Sequence, residues 1–411
     1  MTVNRQLRAP AGDPGLARIA VIGSIAAAIM AGAVGGALAL GGGDSTPVAF
    51  GGRAAVPAPP APPATVTVAR STPTGVPWSA PLGLEVAHGT IESVTATGPD
   101  GAVAGRLGPT GWASTTRIFP STSYTLVAQV KGDDGSTSTK TRTVSTQPPV
   151  NVLHATLSPS GGVVGIGAPV IATFDHPVRG AAARALVLSR LKVTSVPAVA
   201  GAWRWMNSFE AHYRGPSYWA GGTTVTVSAD LSRVNLVGTG TWGTDTPRTA
   251  SFAVGDAVVS TVDVTAHTMT VVRNGTTLRT VPVSTGRAIY PTKGGVHIVL
   301  LMEKEHLYDS STVGIPIKSA DGYYEKLPWS VRISNAGAFV HANPATVKYQ
   351  GRLNVSHGCV NLSVADAAWF FGVTKRGDIV NVVNAAVGPT LSDAGMEDWN
   401  LPFRQWKAGN L

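Results

Sequence analysis

Thiols are almost missing from this chain: its 411 residues include one cysteine, Cys359. An intrachain disulfide is therefore impossible, and the fold must stand on packing alone. Charge is scarce as well, with Asp, Glu, Lys and Arg together at 13% of residues. Basic residues are not interleaved with aromatic ones in the manner of nucleic-acid modules, so no nucleic-acid partner is expected. Glycine and proline are abundant instead, at 48 and 29 residues. Turns at that density cut a chain into short strands and predict a mainly β architecture. The length exceeds one usual core and predicts two to four domains of roughly 100–200 residues. A formal charge of +9 suits an anionic surface such as a cell wall or membrane headgroups.

The N-terminus carries Arg5, Arg8 and Arg18 ahead of an apolar, almost uncharged stretch over residues 19–40. A run of about 20 such residues can span a bilayer as a helix, and arginines before it predict a cytoplasmic segment 1–18. Gly36-Ala37-Leu38-Ala39 offers the alternative of a small-residue cleavage site in a secretory signal. No cysteine lies there, which excludes a lipoprotein anchor. In both cases the remainder is expected outside the cytoplasm, in the cell envelope. Residues 41–79, centred on the Pro-Ala-rich run Pro57–Pro63, read as a semi-rigid linker. Short alternating strands broken by Gly-Pro-Asp-Gly and Gly-Asp-Asp-Gly turns predict one small β-sandwich over 80–147 and another over 148–255. Trp112 and Tyr124 read as core and corner residues of the first. In the second, Trp203, Trp205, Tyr213, Tyr218 and Trp219 form an aromatic cluster suited to packing against the next domain or to sugar stacking. A catalytic domain is expected over 256–386, opened by an Asn274-Gly275 hairpin and followed by a tail, 387–411, packed upon it. Thr285-Gly286 and Thr292-Lys293-Gly294-Gly295 mark turns, and His297 and His306 read as ordinary strand or flap residues.

Chemistry concentrates in Ser356-His357-Gly358-Cys359-Val360-Asn361, with His341 upstream in Phe339-Val340-His341-Ala342-Asn343. A free thiol has a pKa of about 8.5, so it attacks as a thiolate only with help from an imidazole or a helix N-terminus. Ser363-Val364-Ala365-Asp366 reads as a capping box opening a helix through Trp369 and Phe371, which puts Cys359 on a turn feeding that helix. Gly358 frees the backbone, so the N–H groups of His357, Gly358 and Cys359 can converge on one oxyanion. The competing readings are a small buried cysteine and a zinc site of His341, His357 and Cys359, with or without His297. The second lacks any short paired ligand spacing. No metal and no cofactor are expected.

These residues resemble the signature of the L,D-transpeptidase (YkuD-type) catalytic domain. The resemblance extends upstream to a flap running from Tyr308-Asp309-Ser310-Ser311-Thr312 to Gly322-Tyr323. Downstream it takes in Lys375-Arg376-Gly377-Asp378-Ile379-Val380 and the tail Glu397-Asp398-Trp399-Asn400-Leu401-Pro402. It implies two immunoglobulin-like modules before a β-rich catalytic domain with a short helix after the cysteine, as in mycobacterial-type members. It also implies that Cys359 attacks the acyl carbonyl, His341 takes its proton, His357 and Gly358 shape the loop, and the Ala342 carbonyl holds the His341 ring. Tyr323 would lend its hydroxyl to the substrate, Tyr308 would join it on the flap, and Ser356 and Asn361 would brace the loop. Residue identity alone leaves open which of His341 and His357 is the base, and the family's geometry favours His341. Where close relatives often carry an aromatic after the proline that follows the upstream histidine, this chain has Ala345. The implied reaction links third-position diamino acids of peptidoglycan stem peptides through a Cys359 thioester, from a donor tetrapeptide to an acceptor amine with loss of D-alanine. Carbapenem-type β-lactams are the implied inhibitors. The alternatives are an L,D-carboxypeptidase, a wall-protein attachment enzyme using the same cysteine, and a non-catalytic wall-binding protein.

Overall fold

The run Ser123–Gly132 alternates apolar and polar residues, and its side chains alternate accordingly: Tyr124, Leu126, Ala128 and Val130 point into a core while the residues between them face outward. That period of two, repeated along most of the chain, makes the protein chiefly β. The computed structural model describes residues 59–391 and 397–409. The expected anchor at 19–40 and its cytoplasmic flank 1–18 lie outside the described residues. Among those described, no helix is long and apolar enough to cross a membrane.

The first module is a sandwich of two four-stranded antiparallel sheets. Its core joins Val66, Leu84, Trp112, Leu126 and Val130. The Tyr124 hydroxyl accepts the Phe119 N–H at 2.9 Å, so this tyrosine closes a corner and Trp112 is buried, as expected. The module begins earlier than the linker assignment of 41–79 allowed. Thr65–Val68 is a strand paired antiparallel with Gly83–Ala87; its four-residue alternation is hidden in the sequence by flanking Pro and Ala.

The second module packs two four-stranded sheets, a small three-stranded sheet and one helix, Ala181–Leu188, around a core that runs on into Ile298 and Ile379 of the third module. Trp203, Trp205, Tyr213 and Trp219 belong to that core, so the aromatic cluster is mostly internal and offers no stacking face. Tyr218 meets Trp399 of the C-terminal segment at 4.5 Å between ring centroids.

In the third module a five-stranded sheet runs in the order Thr276–Pro282, Thr268–Arg273, Val258–Asp263, Ile379–Val383, Gly295–Ile298. A second sheet runs Leu301–Asp309, Tyr324–Arg332, Phe339–Ala342, Val360–Leu362. Val262, Met269, Val331, Val340, Leu362 and Phe370 fill the space between these sheets and the helix Val364–Val373. The hairpin at Asn274 and Gly275 has positive φ at both residues, +49° and +83°, the geometry that Asn-Gly favours.

The C-terminal segment lies against both the catalytic domain and the second module. Its side chains engage the second module more than the catalytic one, because that module offers a buried cation and a buried imidazole that need partners. Trp399 Nε1 donates to the Gly167 carbonyl at 2.8 Å and Trp406 Nε1 to the Ala202 carbonyl at 2.9 Å. The Arg214 guanidinium lies over the rings of Trp399, Trp406 and Phe403. His212 bridges Asp398 at 2.7 Å and Glu210 at 2.9 Å. Burial would lower its pKa, yet the flanking carboxylates outweigh it and push the imidazole up to about 10. The segment also reaches the catalytic domain: the Gly294 N–H donates to the Val387 carbonyl at 2.7 Å, and Asn400 accepts the Val296 N–H at 2.9 Å and donates to the Val296 carbonyl at 2.7 Å.

Candidate active site

Two neighbouring strands build the site. Phe339–Ala342 and Val360–Leu362 pair in parallel, with Val340 opposite Val360 and His341 opposite Asn361. Side chains alternate, so Val340, Ala342, Val360 and Leu362 enter the core. Phe339, His341 and Asn361 take the opposite face, together with Cys359 at the strand's entry. A cavity of about 230 Å³ opens there, lined among others by His341, His357, Cys359, Asn361, Tyr308 and Tyr323. The chain thus brings every expected side chain of the site to one place. Cys359 does not open the helix directly, as the capping box suggested. The strand Val360–Leu362 intervenes before Ser363 caps the helix by accepting the Asp366 N–H, which puts the helix N-terminus out of first-turn reach of the sulfur.

His341 is buried, and its Nδ1 lies 2.9 Å from the Ala342 carbonyl. A carbonyl only accepts, so Nδ1 carries the proton and Nε2 keeps a lone pair in the neutral ring. Burial is the larger influence and pushes the imidazole down to about 4; the Ala342 contact opposes it weakly. Tyr308 backs the ring at 4.6 Å between centroids. Its hydroxyl donates to Ser330 Oγ at 2.9 Å, so Tyr308 is a wall of the site and its hydroxyl is committed elsewhere. Burial raises its pKa, with Cys359 adding to the effect.

Burial also pushes the Cys359 thiol up to about 11, against a smaller opposing effect of the Phe339 backbone. The sulfur lies 3.8 Å from the Gly337 carbonyl. Desolvation thus favours a neutral thiol and a neutral imidazole in the one cavity, against the thiolate that the motif by itself suggests. Moving a proton between groups at about 11 and about 4 costs on the order of 10 kcal/mol.

Ser356 Oγ donates to the Cys359 carbonyl at 2.6 Å and accepts the Gly358 N–H at 3.1 Å. One member of the expected oxyanion trio is thereby taken, which leaves the amides of His357 and Cys359. Gly358 has φ of +118°, a conformation that only glycine adopts without strain. Thr292 Oγ1 donates to the Gly358 carbonyl at 2.9 Å. Asn361 is hydrogen-bonded through its backbone to Ser284, at 2.8 and 3.1 Å, while its buried Oδ1 has no partner among the described residues.

His357 is held between the rings of Tyr290 and Tyr323, at 4.8 and 5.1 Å. An Arg287 guanidinium nitrogen donates to its Nε2 at 3.1 Å. Burial and that cation lower its pKa. With its Nε2 lone pair occupied, His357 is the poorer candidate for the base. Tyr323 packs with Cys359; its hydroxyl has no hydrogen bond among the described residues, and its pKa is pushed up to about 12, by burial first and then by the nearby Cys359. His297 is spoken for elsewhere, with Nε2 at 2.9 Å from the Lys293 carbonyl. His306 pairs with Glu303 at 2.7 Å, meets Tyr308 edge-on and lies tilted against Phe339.

Sequence reading missed Arg287, Tyr290, Thr292 and Asp321. The first three lie in what reads as a turn, and nothing local signals that their partners are 30 to 70 residues away.

Comparison with known proteins agrees with this geometry. Residues 257–382 match the L,D-transpeptidase catalytic domain family, and residues 73–235 match the bacterial Ig domain family. These matches define the class: an L,D-transpeptidase catalytic domain carried behind immunoglobulin-like modules. L,D-transpeptidase 2 of Mycobacterium tuberculosis is 39% identical over 342 residues, covering 82% of this chain and 82% of that protein. L,D-transpeptidase 5 of the same species is 33% identical over 85% of this chain and 77% of its own length. A solved L,D-transpeptidase in complex with imipenem superposes with a TM-score of 0.50 at 35% identity, over 57% of this chain and all of that one. The chain belongs to the L,D-transpeptidase family.

Proposed function

We propose that this protein cross-links peptidoglycan stem peptides by acyl transfer through Cys359. The observation that carries the reading is the His341 tautomer: Nδ1–H fixed on the Ala342 carbonyl leaves Nε2 unprotonated on a ring that lines the same cavity as Cys359. A donor carbonyl entering the cavity displaces water and gathers negative charge on its oxygen. The remaining loop amides and the Tyr323 hydroxyl are placed to receive that charge. Cys359 passes its proton to His341 as the S–C bond forms. The C–N bond to the terminal D-alanine then breaks, and the same proton leaves with the departing amine. The third-position side-chain amine of a neighbouring stem attacks the thioester, gives a proton to His341, and the sulfur is released and reprotonated. His357 positions the loop. Ser356 holds its turn, and Asn361 presents an acceptor oxygen to substrate N–H groups.

The neutral resting pair supports a substrate-triggered nucleophile, and the imipenem complex of a relative supports carbapenems as acylating inhibitors of this chain. We place the catalytic domain outside the cytoplasmic membrane, at the wall, with residues 19–40 as its anchor or secretory signal. The test is product analysis by mass spectrometry after incubation with disaccharide-tetrapeptide. Cross-linked dimers with release of D-alanine are expected, and a Cys359→Ala variant must lose both these products and any carbapenem adduct. Trimmed tripeptides alone would assign the chain to L,D-carboxypeptidation.

A further inference from the structure

The stretch of residues 310–323 joins the strands Leu301–Asp309 and Tyr324–Arg332 and covers the cavity. Its internal hydrogen bonds are local: Ser310 to Tyr323, Gly314 to Ser311, Ser319 to Pro316 and Gly322 to Ser319. The tip is tightly folded, since a Cβ on Gly322 would fall 2.1 Å from the Ile317 carbonyl oxygen. Among the described residues, its polar contacts with elements beyond this hairpin run through Asp321. One Asp321 oxygen takes the Arg287 guanidinium and the other the Tyr290 hydroxyl at 3.2 Å. Arg287 is in turn fixed to the nucleophile loop: its backbone N–H donates to the Ser356 carbonyl at 3.0 Å, and the nitrogen that meets Asp321 also donates to His357 Nε2. The guanidinium lies over the Tyr290 ring at 4.9 Å.

We propose that Arg287 and Asp321 are positioning residues that latch the 310–323 flap onto the nucleophile loop, and so set how much acyl-enzyme meets an amine rather than water. The inference deepens the acyl-transfer reading and rests on it for the substrate, though not for the latch itself. The pair is partly open to water, at 29% and 38% exposure, so its strength is that of a latch that opens: a pair of this kind shifts an equilibrium by about fivefold or less. A flap that never opened would trap product; one that never closed would leave the thioester to hydrolysis.

The test compares the full chain with Arg287→Gln, Asp321→Asn and the charge swap Arg287→Asp/Asp321→Arg. Amide hydrogen exchange across 310–323 should rise about two- to fivefold in each single variant and return towards wild type in the swap. The carbapenem adduct on Cys359 should hydrolyse faster by a similar factor in the singles. His357 should titrate higher in Arg287→Gln, with Asp321, Tyr290 and Tyr323 still facing it, as read by NMR of its ring protons, whereas Asp321→Asn, which frees the flap but keeps the cation, should leave it no higher than wild type. Wild-type exchange and adduct lifetime in both single variants would overturn the latch. A wild-type chain that forms no adduct would overturn the acyl-transfer reading instead, while exchange across the flap still decides the latch.

Discussion

Alkylation of Cys359 by iodoacetamide separates a substrate-triggered thiol from a preformed thiolate. With the thiol pushed up to about 11, roughly one molecule in 10,000 carries the anion at pH 7, against roughly 3% for a free cysteine of pKa about 8.5. Iodoacetamide brings no oxyanion and makes no use of His341. It should therefore react about 300-fold more slowly than with a free cysteine, and its rate should climb about tenfold per pH step from 6 to 9. A carbapenem fills the cavity and develops negative charge where the amides can meet it. Its acylation rate should stay level over that range and fall only as His341 protonates near pH 4. Removing the base in His341→Ala should make carbapenem acylation follow the same steep slope as alkylation. Intact-protein mass spectrometry at timed quenches reads both reactions. An alkylation profile that levels off with a midpoint below pH 7 would mean a standing thiolate–imidazolium pair and would sink the argument.

Tyr308→Phe should cost about 1 kcal/mol of stability by thermal melting, because it removes the hydrogen bond to Ser330. Carbapenem acylation should stay within about twofold, whereas Tyr323→Phe should slow it more than tenfold with little loss of stability. Gly358→Ala meets no atom closer than 3.9 Å but must hold φ at +118°. About 1–3 kcal/mol of strain is expected there, and acylation should drop as the loop relaxes away, measured beside the melting temperature. His212 binds its proton more tightly folded, at about 10, than unfolded, at about 6.5. The stabilisation this contributes is complete below about pH 6.5 and is lost as pH rises towards 10. Asp398→Asn should shrink that slope in urea titrations run at several pH values and cost on the order of 3–5 kcal/mol.

Much of the fold was legible because alternation is a local property. The strands around Tyr124–Val130, the Asn274-Gly275 hairpin and the Ser363 cap each carry their signal within a few residues. Thr65–Val68 escaped because a four-residue strand among Pro and Ala is too short to stand out from a linker. The tail's second neighbour was not legible, because Trp399 and Trp406 announce only that they need burial; Arg214 and His212, nearly 200 residues earlier, draw them to the second module.

The sequence by itself determined which groups carry the chemistry, one sulfur and the imidazoles of His341 and His357, through the Ser356–Asn361 run and the histidine upstream; the parallel pairing that lays His341 opposite Asn361 came with the fold. What only the tertiary structure decided is the state in which those groups wait. Protonation depends on desolvation and charge summed over residues distant in the chain: the walls around the half-buried Cys359 and the buried His341, the Arg287 cation on His357, the Ser356 hydroxyl on the Gly358 amide. A motif names the atoms that react, and the packed interior around them sets their proton affinities, because the cost of charge depends on everything within several ångströms and not on sequence neighbours.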